Sequence, residues 1–132
     1  MKTSTLYALM GPQAAGKSTL AGMAVDLGVN FIPAYTTEWL HGRSRRGRFL
    51  NRLEPEAFSR ERFYAQTGWR GYQYGWREQD ILAAMASHHC NLMIINEAVM
   101  PRFRTLLRRN LTVIHLMVDY TALVERMTAD KV

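Results

Sequence analysis

Gly11-Pro12-Gln13-Ala14-Ala15-Gly16-Lys17-Ser18 decides how this chain folds. Two glycines, four residues between them, and then a lysine and a serine form the spacing of a loop whose backbone wraps a phosphate group. Upstream, Thr5-Leu6-Tyr7-Ala8-Leu9-Met10 reads as a short buried strand. Downstream, Lys17 to Leu27 places Leu20, Met23, Ala24 and Leu27 at helical spacing. Strand, loop and helix therefore arrive in the order that aims loop N–H groups and a helix N-terminus at one anion. In that reading Gly11, Ala14, Ala15 and Gly16 cradle the phosphates, Lys17 reaches the β- and γ-phosphates, and Ser18 ligates magnesium. A nucleoside triphosphate with Mg²⁺ is the expected ligand. The alternative is a glycine turn before a helix with a surface lysine.

Outward from the loop, the 132 residues suit one domain, residues 1–132, with an apolar share of 48% and no long uncharged apolar run. Met1-Lys2-Thr3 leads straight into the first strand, which suggests no cleavable leader. The single Cys90 cannot make an internal disulfide, and a cytoplasmic, reducing setting without membrane association is expected. The net charge is +6, and arginine supplies 14 of the 17 basic residues. Its rigid fork suits bidentate contact with phosphate, so a phosphorylated ligand is favoured, although nucleic acid would satisfy the same charge.

Val29 to Pro33 reads as a short second strand. Residues 36–75, rich in arginine, glycine and aromatics, read as an inserted substrate-binding segment with a short helix near Pro55 to Tyr64. Regular alternation then resumes. A helix over Glu78 to His89 presents Ile81, Leu82 and Met85, and Leu92 to Ile95 has the character of a strand buried on both faces. A helix over Pro101 to Arg109, a strand over Leu111 to Val118 and a last helix capped by Asp119 follow. The pattern predicts an α/β fold whose parallel sheet carries helices on both faces.

Three constellations carry further chemistry. Arg43, Arg45, Arg46, Arg48 and Arg52 lie in a span without acidic residues, where some would clamp an acceptor phosphate or neutralise charge in transfer; the bland alternative is a solvated basic loop. Gly68 to Trp76 holds four aromatics among glycines, suited to stacking on a base or sugar, or to a hairpin whose aromatics form a small core. Asn96-Glu97 follows the apolar strand at the point where a carboxylate can hold magnesium or its waters, and Glu97 is the candidate. His88, His89 and His41 show no ligand spacing, and His115 within its apolar strand reads as a core histidine.

With these pieces in place, the chain resembles the guanylate kinase group of nucleoside monophosphate kinases, within the phosphate-loop NTPases, and shows some likeness to ribose 1,5-bisphosphate phosphokinases. The resemblance rests on Gly11 to Leu20, on Thr36-Thr37, on Gly71-Tyr72-Gln73-Tyr74-Gly75, on the strand ending in Asn96, and on Val113 to Met127. It implies a three-layer fold and γ-phosphoryl transfer from ATP to a small phosphorylated acceptor, a nucleoside monophosphate or a sugar phosphate. It also implies that Gly16, Lys17, Ser18 and Thr19 bind ATP and Mg²⁺, and that Thr37 and Tyr74 touch the acceptor phosphate. Two departures stand out. Glu38 occupies the place of an arginine that follows the threonine pair, which leaves Arg43, Arg45 or Arg46 to contact the phosphate, and Ile95-Asn96-Glu97 replaces an aspartate pair. The family continues beyond the position of Arg126 into an arginine-bearing lid, whereas this sequence stops at Val132, so nucleotide binding is expected more firmly than fast turnover. A catalytically weak nucleotide-binding module and a nucleic-acid-linked ATPase are the alternative readings.

Overall fold

A computed structural model describes residues 4–12, 16–39, 46–117 and 120–130. Strand β1 (Thr5–Met10) runs through the middle of the molecule between β7 (Cys90–Ile94) and β8 (Leu111–His115), parallel to both. The short β2 (Asn30–Phe31) pairs with the far side of β7, giving the order β2-β7-β1-β8. Alternation along β1 explains its position. Leu6, Ala8 and Met10 enter one core, while Leu9 and the half-buried Tyr7 enter the other, so the strand is apolar on both faces.

Helix α1 (Lys17–Asp26) covers the second of these cores through Ala21, Ala24 and Val25. On the opposite face, α3 (Glu78–Ser87) contributes Ile81 and Ala84, and α4 (Met100–Leu107) contributes Phe103 and Leu107. Sheet between helices gives the expected three-layer α/β arrangement. Helix α5 (Tyr120–Asp130) follows β8. Among the described residues no helix is long and apolar enough to cross a membrane.

The segment 36–75 is more regular than its sequence suggests. Strands β3 (Ala34–Thr36), β4 (Leu50–Arg52), β5 (Ala65–Trp69) and β6 (Tyr72–Trp76) form a second sheet, ordered β4-β3-β6-β5. Its strands are short and its apolar residues alternate over only two or three positions, too few for periodicity to register. The first sheet's edge strand ends at Phe31, short of the expected Pro33, and β3 starts directly after Pro33 in the second sheet. Helix α2 (Pro55–Arg60) has proline in its first turn as expected, but stops at Arg60 rather than Tyr64. Arg70 and Gly71, both with positive φ (52° and 83°), form the two-residue turn between β5 and β6.

Several packing expectations are corrected. Leu20, Met23 and Leu27 are exposed on α1, because the small side chains Ala21 and Ala24 and the branched Val25 let the helix lie close to the sheet. Leu82 is half exposed, and Ile81, Ala84 and Met85 form the inward stripe of α3 instead. His115 is exposed at the end of the edge strand β8, not buried in the core.

Candidate active site

The carboxyl end of β1 feeds directly into the glycine loop. Gly11 passes under the chain after β8: a Cβ there would lie 3.0 Å from the Leu116 carbonyl oxygen and 3.2 Å from the Leu116 Cβ. Gly16 then takes φ 95°, a conformation that suits glycine, and its carbonyl accepts the Leu20 N–H at 2.9 Å, which starts α1. Among the described residues no side chain caps the helix and no acidic residue sits in its first turn, so the positive end of α1 is suited to an external anion. Lys17 curls back over the loop, and its ammonium donates to the carbonyls of Gly11 at 2.5 Å and Pro12 at 3.2 Å. Ser18 is half-buried and Thr19 exposed on the first turn. Ala14 and Ala15, expected to complete the cradle, lie outside the described residues.

Asn96 and Glu97 follow β7, the neighbour of β1, at the same carboxyl edge of the sheet. There the Asn96 Oδ1 accepts the Val99 N–H at 3.3 Å and fixes the turn that leads into α4, while Glu97 is exposed. In open α/β sheets this edge is where ligands gather. Ser18 and Glu97 thus belong to elements that end or begin at one edge, and the donor chemistry of a hydroxyl and a carboxylate suits magnesium.

The second sheet carries the remaining candidate residues, Thr37 and Tyr74 among them. Leu50 pairs with Ala34, and Ala65 with Trp76, all on the face turned into the apolar core. Two residues further along each strand, the same face carries a single row, Arg52, Thr36, Tyr74 and Thr67, in mutual register. Here the apolar core gives way to polar groups. Buried Thr36 donates its hydroxyl proton to the Gln73 carbonyl at 2.9 Å and accepts the Glu38 N–H at 3.0 Å. Thr37 binds the same neighbour strand: its hydroxyl accepts the Gln73 N–H at 3.0 Å, and its N–H reaches the Gln73 carbonyl at 3.1 Å. The buried Tyr74 donates its hydroxyl proton to Glu38 Oε1 at 3.0 Å. Next to them the Arg52 guanidinium lies 4.5 Å over the exposed Trp39 ring and pairs with Glu54 at 2.5 Å.

The aromatic stretch divides its work. Trp76 packs edge-on against Phe103 at 5.7 Å in the core, Trp69 meets Tyr74 edge-on at 6.2 Å with Arg70 stacked on it at 4.5 Å, and Tyr72 is exposed. So the hairpin supplies core with one end and a polar-aromatic rim with the other. Gly75 has a packing role, since the Phe63 ring occupies the space beside it. Among the arginines, Arg48 pairs with Asp26 at 3.6 Å and Arg52 with Trp39 and Glu54. Arg46 opens a 3-10 turn (Arg46–Phe49), and Arg43 and Arg45 lie outside the described residues. Sequence reasoning marked Glu38 only as a departure from a pattern, and missed it as Tyr74's partner; the pairing is legible only once β3 and β6 are set side by side.

The chain is similar in structure to the guanylate kinase from Anaplasma phagocytophilum, with a TM-score of 0.72 at 14% identity, over 97% of this chain and 67% of that one. No protein-family model matches the chain, and no curated protein matches it in sequence. The structural likeness establishes a guanylate kinase-like α/β fold, with the mostly parallel sheet and flanking helices described above.

Proposed function

We propose that this chain is an ATP-dependent phosphotransferase that moves the γ-phosphate of ATP to a small phosphorylated acceptor, a nucleoside monophosphate or a sugar phosphate. The observation that carries the reading is the β1–loop–α1 unit, with Gly16 at positive φ, an uncapped helix start and the Lys17 ammonium drawn back over the loop. These residues fit a triphosphate. The glycine loop, including Gly11, Ala14, Ala15 and Gly16, would hold its phosphates, with Lys17 and Thr19 beside them, and Ser18 and Glu97 would hold the magnesium ion. ATP would supply the phosphoryl group when bound.

What the chain itself contributes is positioning and charge. Lys17 would neutralise the charge that spreads over the transferred group, and Arg43 and Arg46 would bring further positive charge from the acceptor side. A phosphate oxygen is already a competent nucleophile at neutral pH, so no strong base is required. Thr37 and Tyr74, held together on the second sheet, would contact the acceptor. A binding module with little turnover is the second reading, favoured by Asn96, which holds a turn at the strand end where the family this chain resembles carries an aspartate pair.

A coupled assay of ADP release, run across nucleoside monophosphates and phosphorylated pentoses, tests the proposal. Acceptor-dependent release that disappears in Lys17→Ala supports transfer. Tight Mg-ATP binding with no acceptor-dependent release would move the account to the binding module.

A further inference from the structure

Of the chain's three tryptophans, Trp76 lies in the core and Trp69 is half-buried, whereas Trp39 is 63% exposed. Tryptophan carries a large apolar area, and few are left so open to water. Trp39 is nonetheless held. Arg52 on β4 lays its guanidinium 4.5 Å from the centre of the ring, and Glu54 binds that guanidinium through Nη1 at 2.5 Å. The Arg52 Nε is buried and has no hydrogen-bond partner among the described residues, so contact with the ring face, not a full set of hydrogen bonds, is what the guanidinium gains there. Glu54, Arg52 and Trp39 thus form a stack in which one ring face is covered and the opposite face is left to solvent.

The end of β3 places this stack. Thr36 and Arg52 are register partners, and the Thr36 carbonyl accepts the Leu53 N–H at 2.8 Å. Trp39 comes two residues after Thr37, so the open ring face belongs to the same strand end as that acceptor candidate.

What can occupy the face follows from its shape and from the charge behind it. A cationic ligand on the open side would meet the charge of Arg52 through the ring. A sugar is puckered and edged with hydroxyls, which lose water against an apolar surface without gaining a partner. A nucleobase is flat, offers a π face and covers an indole well.

We infer that Trp39, backed by Arg52 and Glu54, stacks on the base of the acceptor, which makes that acceptor a nucleoside monophosphate and not a sugar phosphate. The inference rests on the reading of the second sheet as the acceptor side. Arg52 is in this view a positioning residue that acts through Trp39. Stacking reads a π face and tolerates any base, so this contact selects for a base without choosing which one.

Calorimetric titration of GMP, AMP, CMP and UMP against ribose 5-phosphate, which keeps the sugar and phosphate and lacks the base, tests it. The triphosphate site is filled beforehand with Mg²⁺ and a non-hydrolysable ATP analogue. The wild-type protein binds the best nucleotide about ten- to a hundredfold more tightly than ribose 5-phosphate, the scale of one base stacked on an aromatic side chain. Trp39→Ala brings this ratio to within about twofold, Trp39→Phe keeps part of it, and Glu54→Ala lowers it by releasing Arg52. None of the three alters Mg-ATP affinity. Ribose 5-phosphate bound as tightly as every nucleotide, or no binding of any of the five ligands, would overturn the inference. So would a ratio unmoved by Trp39→Ala or, should that variant fail to fold, by Glu54→Ala. A loss in Trp39→Ala that falls on Mg-ATP instead of the monophosphates would also overturn it, because the ring would then serve the donor. ADP release is read separately: base-dependent binding without release sinks the transfer reading alone, and release with ribose 5-phosphate but with no nucleotide sinks this inference alone.

Discussion

Replacing Gly75 by alanine adds a single methyl group at the place where β6 and the Phe63 ring come together. An ideal Cβ at residue 75 would lie 2.5 Å from the Phe63 Cγ and Cδ2 and 2.7 Å from its Cδ1, well inside contact distance. The ring has little room to retreat, since Phe58 stacks on it at 4.6 Å and Tyr35 at 6.0 Å. Overpacking of this kind costs about 1–3 kcal/mol. With an unfolding entropy of about 2.1 cal/mol/K per residue, a chain of 132 residues loses roughly 4–11 °C in Tm. The assay is thermal unfolding followed by circular dichroism on wild type, Gly75→Ala, Phe63→Ala and the double variant. Removing the ring opens the space the methyl needs, so in the Phe63→Ala background Gly75→Ala should cost nothing or stabilise by about 0.5–1 kcal/mol through reduced backbone entropy. Tyr74 is the next residue, so acceptor affinity falls in the single variant while Mg-ATP affinity stays. Costs that add across the two sites would refute the reasoning, because the glycine would then be required by its own backbone and not by the ring.

Phe103 is fully buried in the core cluster to which both sheets contribute, edge-on to Trp76. Phe103→Ala should cost about 3–5 kcal/mol in urea unfolding. Asn91, also fully buried, accepts the Asn30 amide at 2.9 Å and donates to the His88 carbonyl at 3.0 Å, so Asn91→Ala leaves two partners unmet and should cost about 1–3 kcal/mol by the same measurement. Tyr64 and Arg102 exchange bonds between the second sheet's approach and α4, Tyr64 giving its hydroxyl proton to the Arg102 carbonyl at 2.9 Å and Arg102 giving its guanidinium Nε–H to the Tyr64 carbonyl at 3.0 Å. Arg102→Ala should loosen this joint by about 1 kcal/mol, read as faster amide exchange in residues 64–76 with β1 unaffected.

The first sheet and its helices were legible because their signals are long: six residues of β1, the fixed spacing from Gly11 to Ser18, and the apolar run of β7. Which side of α1 faces the sheet was not. Leu20, Met23 and Leu27 make the larger apolar stripe, yet close approach to the strands selects Ala21, Ala24 and Val25. The second sheet escaped for a related reason, since β3 and β4 span three residues each and owe their existence to neighbours distant in sequence. The strand–loop–helix unit around Gly16 and Lys17 could be read from the sequence because it is local. The pairing of Glu38 with Tyr74 could not, because the two become partners only through the antiparallel register of β3 and β6.

The central claim is that the loop holding Lys17 serves phosphoryl transfer. Its most direct test follows labelled γ-phosphate from ATP into the acceptor, with wild type and Lys17→Ala side by side at equal Mg²⁺. The account predicts label in the acceptor with wild type and a loss of about a hundredfold or more in Lys17→Ala, the scale of removing a positioned charge from the reacting group. Equal labelling by the two proteins would contradict it.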